Sequence, residues 1–82
     1  MMMNIPVVNM RQTGLNILTL REQRGITVRQ LQGMLGFATP QAIYKWQQGV
    51  NLPTVDNLAA LAVIFSVPME KILVFTPCDG RA

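Results

Sequence analysis

The side chains best suited to binding chemistry lie in one short amphipathic stretch, residues 41–48. At a helical spacing of about 100° per residue, Gln41, Tyr44, Lys45 and Gln48 fall on one arc. This face has no carboxylate, one cation and three groups that form hydrogen bonds. Glutamine pairs with an adenine edge through two hydrogen bonds, and lysine or tyrosine reaches guanine or phosphate. The pattern fits a helix that reads the major groove of DNA, but taken alone it is more often that of a solvated amphipathic helix.

The opposite arc of the same helix is mostly apolar. It holds Ala42, Ile43, Trp46 and Gln47. A tryptophan can stack on a nucleotide, but Trp46 shares its arc with Ile43, and large aromatic side chains on an apolar face usually pack in a core. We therefore predict that Trp46 is buried.

The remaining polar residues do not form a catalytic or metal-binding constellation. The chain has no histidine, four scattered acidic residues and a single cysteine, Cys78. No phosphate-binding loop is present in the sequence, so acid-base, nucleophilic and zinc chemistry all lack the residues they need. We expect neither enzymatic activity nor a cofactor.

Two helices with a short turn between them must position the polar face. Thr27 and Gln30 are spaced as a capping box at the start of a second helix. Thr39 and Pro40 predict the start of a third helix, with the threonine hydroxyl as its cap and the proline at its first position. Glycines end both helices, at Gly36 and Gly49.

Three further helices are predicted on either side of this pair. Glycine and proline residues, which start and end helices, place them at 13–24, 53–65 and 69–74. With the central pair this gives an all-α bundle of five helices. The apolar segment 5–8 is extended by preference, and is either a short strand or a segment swapped between subunits of a dimer. We divide the chain into an N-terminal arm (1–12), a helix-turn-helix domain (13–75) and a C-terminal tail (76–82).

The bulk composition fits one small domain that binds a polyanion. The chain has 82 residues, of which 50% are hydrophobic and 13% charged, and its net charge is +3. A positive balance favours nucleic acid as a partner. The opening residues lack the parts of a secretory signal, and the longest apolar run, 58–65, is far shorter than the roughly 20 residues that span a bilayer. We expect a cytoplasmic protein.

A set of spaced residues resembles the Xre-type family of phage repressor and Cro proteins. It runs through Leu20-Arg21, Gly25-Ile26-Thr27, Leu31, Leu35-Gly36, Ile43, Trp46, Gly49, Pro53, Leu58, Leu61-Ala62, Val67 and Ile72-Leu73. The resemblance covers residues 13–74 and implies a five-helix repressor-like bundle, in which the second and third helices read DNA.

The resemblance also implies positions for the contacts with DNA. Residues at the start of the third helix touch bases in the family, and of the matching residues here only Gln41 and Lys45 keep hydrogen-bonding side chains. A phosphate-binding glutamine usually begins the second helix, but this chain has Val28 there, and we assign its role to the neighbouring Arg29. The candidate DNA-contacting residues are Arg29, Thr39, Pro40, Gln41, Tyr44, Lys45 and Gln48.

The chain also departs from the family pattern in three places. The turn between Gly36 and Ile43 is one residue longer than in the commonest members. A small alanine is usual where the two helices cross, but here it is Gln32. The family's buried ion pair maps to Arg21 and Gln47, which predicts a charge-assisted hydrogen bond instead.

The fourth helix has more apolar surface than one core requires. A core stripe of leucines and Phe65 accounts for one side, while Ala60, Val63 and Ile64 occupy much of the rest. We predict a homodimer that covers this surface through helices 4 and 5. The alternative is a monomer in which Ile64 and Phe75 pack around the core.

Two functions remain open at this point. The first is sequence-specific binding of double-stranded DNA by a transcriptional regulator from a bacterium, its phage or a mobile element. The second is a protein-interaction module with the same fold, such as an antitoxin-like regulator that binds a partner. In neither case does the sequence indicate a membrane or a metal.

Overall fold

Four α-helices follow one another along the chain: α1 (Met10–Gln23), α2 (Val28–Leu35), α3 (Gln41–Gln47) and α4 (Val55–Phe65). The computed structural model describes residues 5–78. Within that range a single 3-10 turn, Met69–Lys71, follows α4, and two strands, β1 (Ile5–Val8) and β2 (Phe75–Cys78), flank the helices. In the described part of the chain, no helix is long and apolar enough to cross a membrane.

The hydrophobic core lies where the helices meet. Every α-helix contributes to it, because each places apolar side chains on one side. Its buried members are Ile17, Leu31, Ile43, Trp46, Leu58, Leu61, Phe65 and Ile72.

Capping residues explain where most of the helices begin and end. The predicted capping box is present, with the Gln30 N–H donating to Thr27 Oγ1 and the Thr27 N–H donating to Gln30 Oε1. Gly36 ends α2 in the left-handed region at φ 73°, a conformation that costs glycine little. Thr54 caps α4 by accepting from the Asn57 N–H.

Three predicted helix starts differ from the structure, among them that of α4, which begins at Val55 rather than at residue 53. α1 begins at Met10 rather than Thr13, because the Asn9 side chain accepts from the Gln12 N–H and so caps the helix three residues earlier. No side chain caps α3: Pro40 is its N-cap residue, so Thr39 lies one position too early to act as the cap and Pro40 is not yet helical.

The described residues form the predicted, mostly helical repressor-like fold, but with four α-helices and a small two-stranded sheet, so the prediction of a fifth helix is wrong. The chain after α4 makes only the 3-10 turn, because backbone groups further on bond to α1 instead of to each other. The Val74 N–H donates to Thr13 Oγ1, and the Val74 carbonyl accepts from the Asn9 N–H at 2.7 Å. A helix through residue 74 would lose both bonds.

The segment 5–8 is a strand, and its partner is the end of the same chain. β1 and β2 pair antiparallel, with Ile5 opposite Cys78 and Val8 opposite Phe75. Three residues of the predicted tail, 76–78, therefore belong to the sheet. The rest of the tail, 79–82, and residues 1–4 of the predicted arm lie outside the described residues.

Candidate nucleic-acid interface

The turn between α2 and α3 is held by its own side chains. After α2 ends at Gly36, the Gln32 side-chain amide donates to the Phe37 carbonyl oxygen at 3.2 Å. The Phe37 ring meets the Trp46 ring edge-on, with 5.7 Å between ring centroids. The turn thus anchors the Phe37 ring on the core, a role that the sequence analysis missed.

The two arcs predicted for α3 are confirmed by the exposure of its side chains. Gln41, Tyr44, Lys45 and Gln48 are all exposed. Ile43 is fully buried, and Trp46 is 4% exposed, as predicted. Because the apolar side of α3 is buried, the four polar side chains on its other side face solvent together.

The backbones of α1 and α3 lie very close together at Gly14. A Cβ added to Gly14 would lie 2.8 Å from the Gln47 carbonyl oxygen and closer still to the Trp46 carbonyl oxygen. Only a glycine lets the two helix backbones approach this closely. This close approach fixes the distance between α1 and α3.

The predicted hydrogen bond between Arg21 and Gln47 is present. Arg21 Nε donates to Gln47 Oε1 at 3.0 Å, and a terminal guanidinium nitrogen donates to the Ile26 carbonyl at 2.8 Å. The same arginine therefore ties α1 to both α3 and the segment before α2. Arg24 also has a structural contact, because its Nε donates to the Phe65 carbonyl at the end of α4.

An open groove of about 390 Å³ lies between α2 and the start of α3. Four of the seven candidate residues border it: Arg29, Thr39, Pro40 and Tyr44. Its other lining residues are Val28, Gln32 and Ala38, which the candidate set omitted. Val28 and Gln32 were noticed only as departures from the family, and the sequence had no signal that they face one space.

The remaining candidates are outside the lining of this groove: Gln41 and Lys45 lie on α3, and Gln48 is the C-cap residue directly after it. Because Tyr44 belongs both to the groove and to the exposed face of α3, the groove and that face adjoin. We call the two together the α2–α3 surface, made of the groove lining and of Gln41, Lys45 and Gln48.

The α2–α3 surface has a positive electrostatic bias. From residue 23 to residue 55 the chain has no Asp or Glu, and its charged side chains there are Arg24, Arg29 and Lys45. Arg29 and Lys45 are exposed and belong to the surface. A polyanion would meet cations and hydrogen-bonding groups here without opposing carboxylates.

Comparison with known proteins agrees with this geometry. The helix-turn-helix family model matches residues 17–72, which is more than half of the chain. A search of curated protein sequences found no significant match.

Several solved structures share the fold. The DNA-binding domain of BldD from S. venezulae is 23% identical, with a TM-score of 0.66, over 78% of this chain and 94% of that chain. The restriction-modification controller protein C.AhdI from Aeromonas hydrophila is 16% identical, with a TM-score of 0.69, over 77% and 94%. Apo-HppE is 20% identical, with a TM-score of 0.71, over 79% of this chain but only 36% of that one.

At these identities the structural likeness establishes the fold, and the family match establishes membership. The fold also occurs as a minor part of a longer chain, so it does not by itself decide a function. With the capped α2, the glycine-ended turn and the outward polar face of α3, the chain belongs to the Xre-like helix-turn-helix family of DNA-binding transcription regulators.

Proposed function

We propose that the protein is a sequence-specific regulator of the Xre/Cro-repressor type that binds double-stranded DNA with α3 in the major groove. The observation that carries this proposal is the exposed polar face of α3, which has no carboxylate and is backed by buried Ile43 and Trp46. Seven helical residues span about 10 Å, which suits a major groove about 12 Å wide.

Different candidate residues take different parts in this binding. Gln41, at the first position of α3, reads a base edge through its amide. Lys45, one turn later, neutralises a phosphate. Arg29 at the start of α2 and Thr39 just before α3 contact the sugar-phosphate backbone. Tyr44 and Gln48 add hydrogen-bonding groups on either side of these contacts.

The experiment begins with selection of a preferred duplex from a random pool, followed by a salt titration of binding. Gln41→Ala should weaken binding to the selected duplex by about 1 to 3 kcal/mol and change binding to a scrambled duplex much less. Lys45→Ala should weaken both and reduce the salt slope by about one unit. The exposed residues Gln23 and Lys71 provide matched controls, as Gln23→Ala and Lys71→Ala, because neither belongs to the α2–α3 surface.

Exchange of the two roles would still support the proposal, since lysine can also read guanine. If both α3 variants bind every duplex as the wild type does, α3 is not the reading element and the proposal fails.

We also propose that the protein acts as a homodimer, so that two copies read two half-sites. Support comes from the apolar side chains at α4 and beyond: Val63 is 79% exposed, Phe75 48% and Met69 38%. Sedimentation should find a dimer at micromolar concentration, and Val63→Lys should convert it to a monomer without unfolding it. A wild-type monomer at about 100 micromolar, a concentration at which weak association is already populated, would refute the dimer.

The second candidate function is a protein-interaction module, in which the same exposed Val63 side chain contacts a different protein. It predicts that Val63→Lys abolishes partner capture while the α3 variants have no effect. The two functions therefore differ in which variants cause a loss.

A further inference from the structure

The lining of the groove between α2 and α3 is partly apolar and partly polar. Val28, Ala38 and Pro40 line it with carbon atoms, and Val28 and Pro40 are half-buried. Val28 also packs against the hydrophobic core. This side of the groove is therefore rigidly placed.

The one amide that lines the groove is already engaged. The Gln32 nitrogen donates to the Phe37 carbonyl, which holds the side chain in place. Polar groups at the groove come instead from exposed side chains, those of Arg29, Thr39 and Tyr44. The arrangement is an apolar lining beside a cation and two hydroxyl groups.

We propose that this groove receives the C5-methyl group of a thymine in the bound duplex, with Arg29 on the adjacent phosphate. The inference rests on the proposed function and adds a rule of base preference to it. Thymine is the only one of the four bases that presents a methyl group in the major groove. Contact with Val28, Ala38 and Pro40 removes that methyl from water without burying an unpaired polar group.

The other bases fit the same lining poorly. Cytosine has only a hydrogen at the position of the methyl and would leave the carbon atoms of the lining in contact with water, whereas adenine and guanine would turn N7 acceptors toward them. Those purine acceptors would lose hydrogen bonds to water without replacement. The groove thus prefers thymine over cytosine by contact with the methyl, and over the purines also because their acceptors would be left unpaired. The backbone phosphate matches the charge of Arg29, which has no carboxylate near it on α2 or α3.

Deoxyuridine provides the test, because it differs from thymidine only by the methyl group. Each thymidine of the selected duplex is replaced in turn by deoxyuridine, and the dissociation constant is measured for the wild type. One position in each half-site should lose about fourfold in affinity, the ratio expected for about 0.8 kcal/mol of methyl burial. The other thymidine positions should change little.

Variants of the protein identify the surface that contacts the methyl. In Val28→Ala and, separately, in Pro40→Ala, the thymidine-to-deoxyuridine ratio at that position should fall toward one. Val55→Ala is the matched control, because Val55 is 72% exposed at the start of α4 and does not line the groove. Thermal unfolding of each variant confirms that binding is measured on folded protein.

Three results would overturn the inference while the proposed function stands: a selected site without thymine, no position that prefers thymidine over deoxyuridine, or a preference unchanged in both groove variants. A protein that binds no duplex at all would overturn the inference together with the proposed function.

Discussion

The backbones of α1 and α3 approach each other closely at Gly14, and a single added methyl group should force them apart. In Gly14→Ala the new Cβ would lie 2.8 Å from the Gln47 carbonyl oxygen and closer still to the Trp46 carbonyl oxygen, whereas ordinary contact begins at 3.4 Å. Both neighbours are backbone atoms, so neither can rotate away. Relief requires α1 and α3 to move apart.

The expected magnitude follows from two opposing effects. Alanine is the better helix former, so the substitution alone should stabilise by about 0.5 to 1 kcal/mol. Overpacking a close contact costs about 1 to 3 kcal/mol, and backbone neighbours place Gly14 at the upper end. The net loss is about 2 kcal/mol, out of the about 4 to 12 kcal/mol usual for a domain of this size. The midpoint of thermal unfolding should fall by about 8 to 16 °C.

Gly33→Ala is the matched control for this effect. Gly33 also lies inside a helix, but an added Cβ there meets nothing within 4 Å. It should therefore gain the helix propensity alone and raise the midpoint by a few degrees. Circular dichroism during thermal and urea unfolding measures both. If the two variants shift stability in the same direction, the argument for close α1–α3 contact is refuted.

Three further predictions concern the burial of Trp46 and two side-chain hydrogen bonds, one at Thr13 and one at Gln47. Trp46, at 4% exposure, should fluoresce at short wavelength and shift to the red on unfolding, and Trp46→Ala should cost about 3 to 5 kcal/mol; emission like that of free tryptophan would contradict its burial. Thr13→Val leaves the Val74 N–H without its hydroxyl partner and should cost about 1 to 3 kcal/mol, with faster amide exchange at residue 74, whereas Thr13→Ser should retain the bond. Gln47→Glu should replace the hydrogen bond from Arg21 by an ion pair and raise the free energy of unfolding by up to about 1 kcal/mol in low salt. A change in stability that does not depend on salt would contradict the formation of this ion pair.

Local sequence signals predicted α2 and α3 well. Thr27 with Gln30 and the left-handed position of Gly36 set the bounds of α2, because capping and turn conformations depend on residues close together in the chain. The periodicity of α3 separated buried Ile43 and Trp46 from the exposed candidates for the same reason. The bond between Arg21 and Gln47 was the one distant contact expected, and it came from the family resemblance.

Long-range contacts decided the structure at the two ends of the described chain, whereas the missed start of α1 depends on the local cap by Asn9. The fifth helix stops after one turn because Val74 bonds to Thr13 and Asn9, far away in the chain, and segment 5–8 becomes a strand because residues 75–78 lie beside it.

The residues of the candidate site also fall into two groups, those that local sequence predicted and those that tertiary packing brought together. Sequence alone identified Gln41, Tyr44, Lys45 and Gln48 as one face, since helical spacing determines which side chains share an arc. Only the tertiary structure placed Val28 and Pro40 in one groove, because the distance between two helices depends on the packing of the core beneath them and of Gly14 against α3.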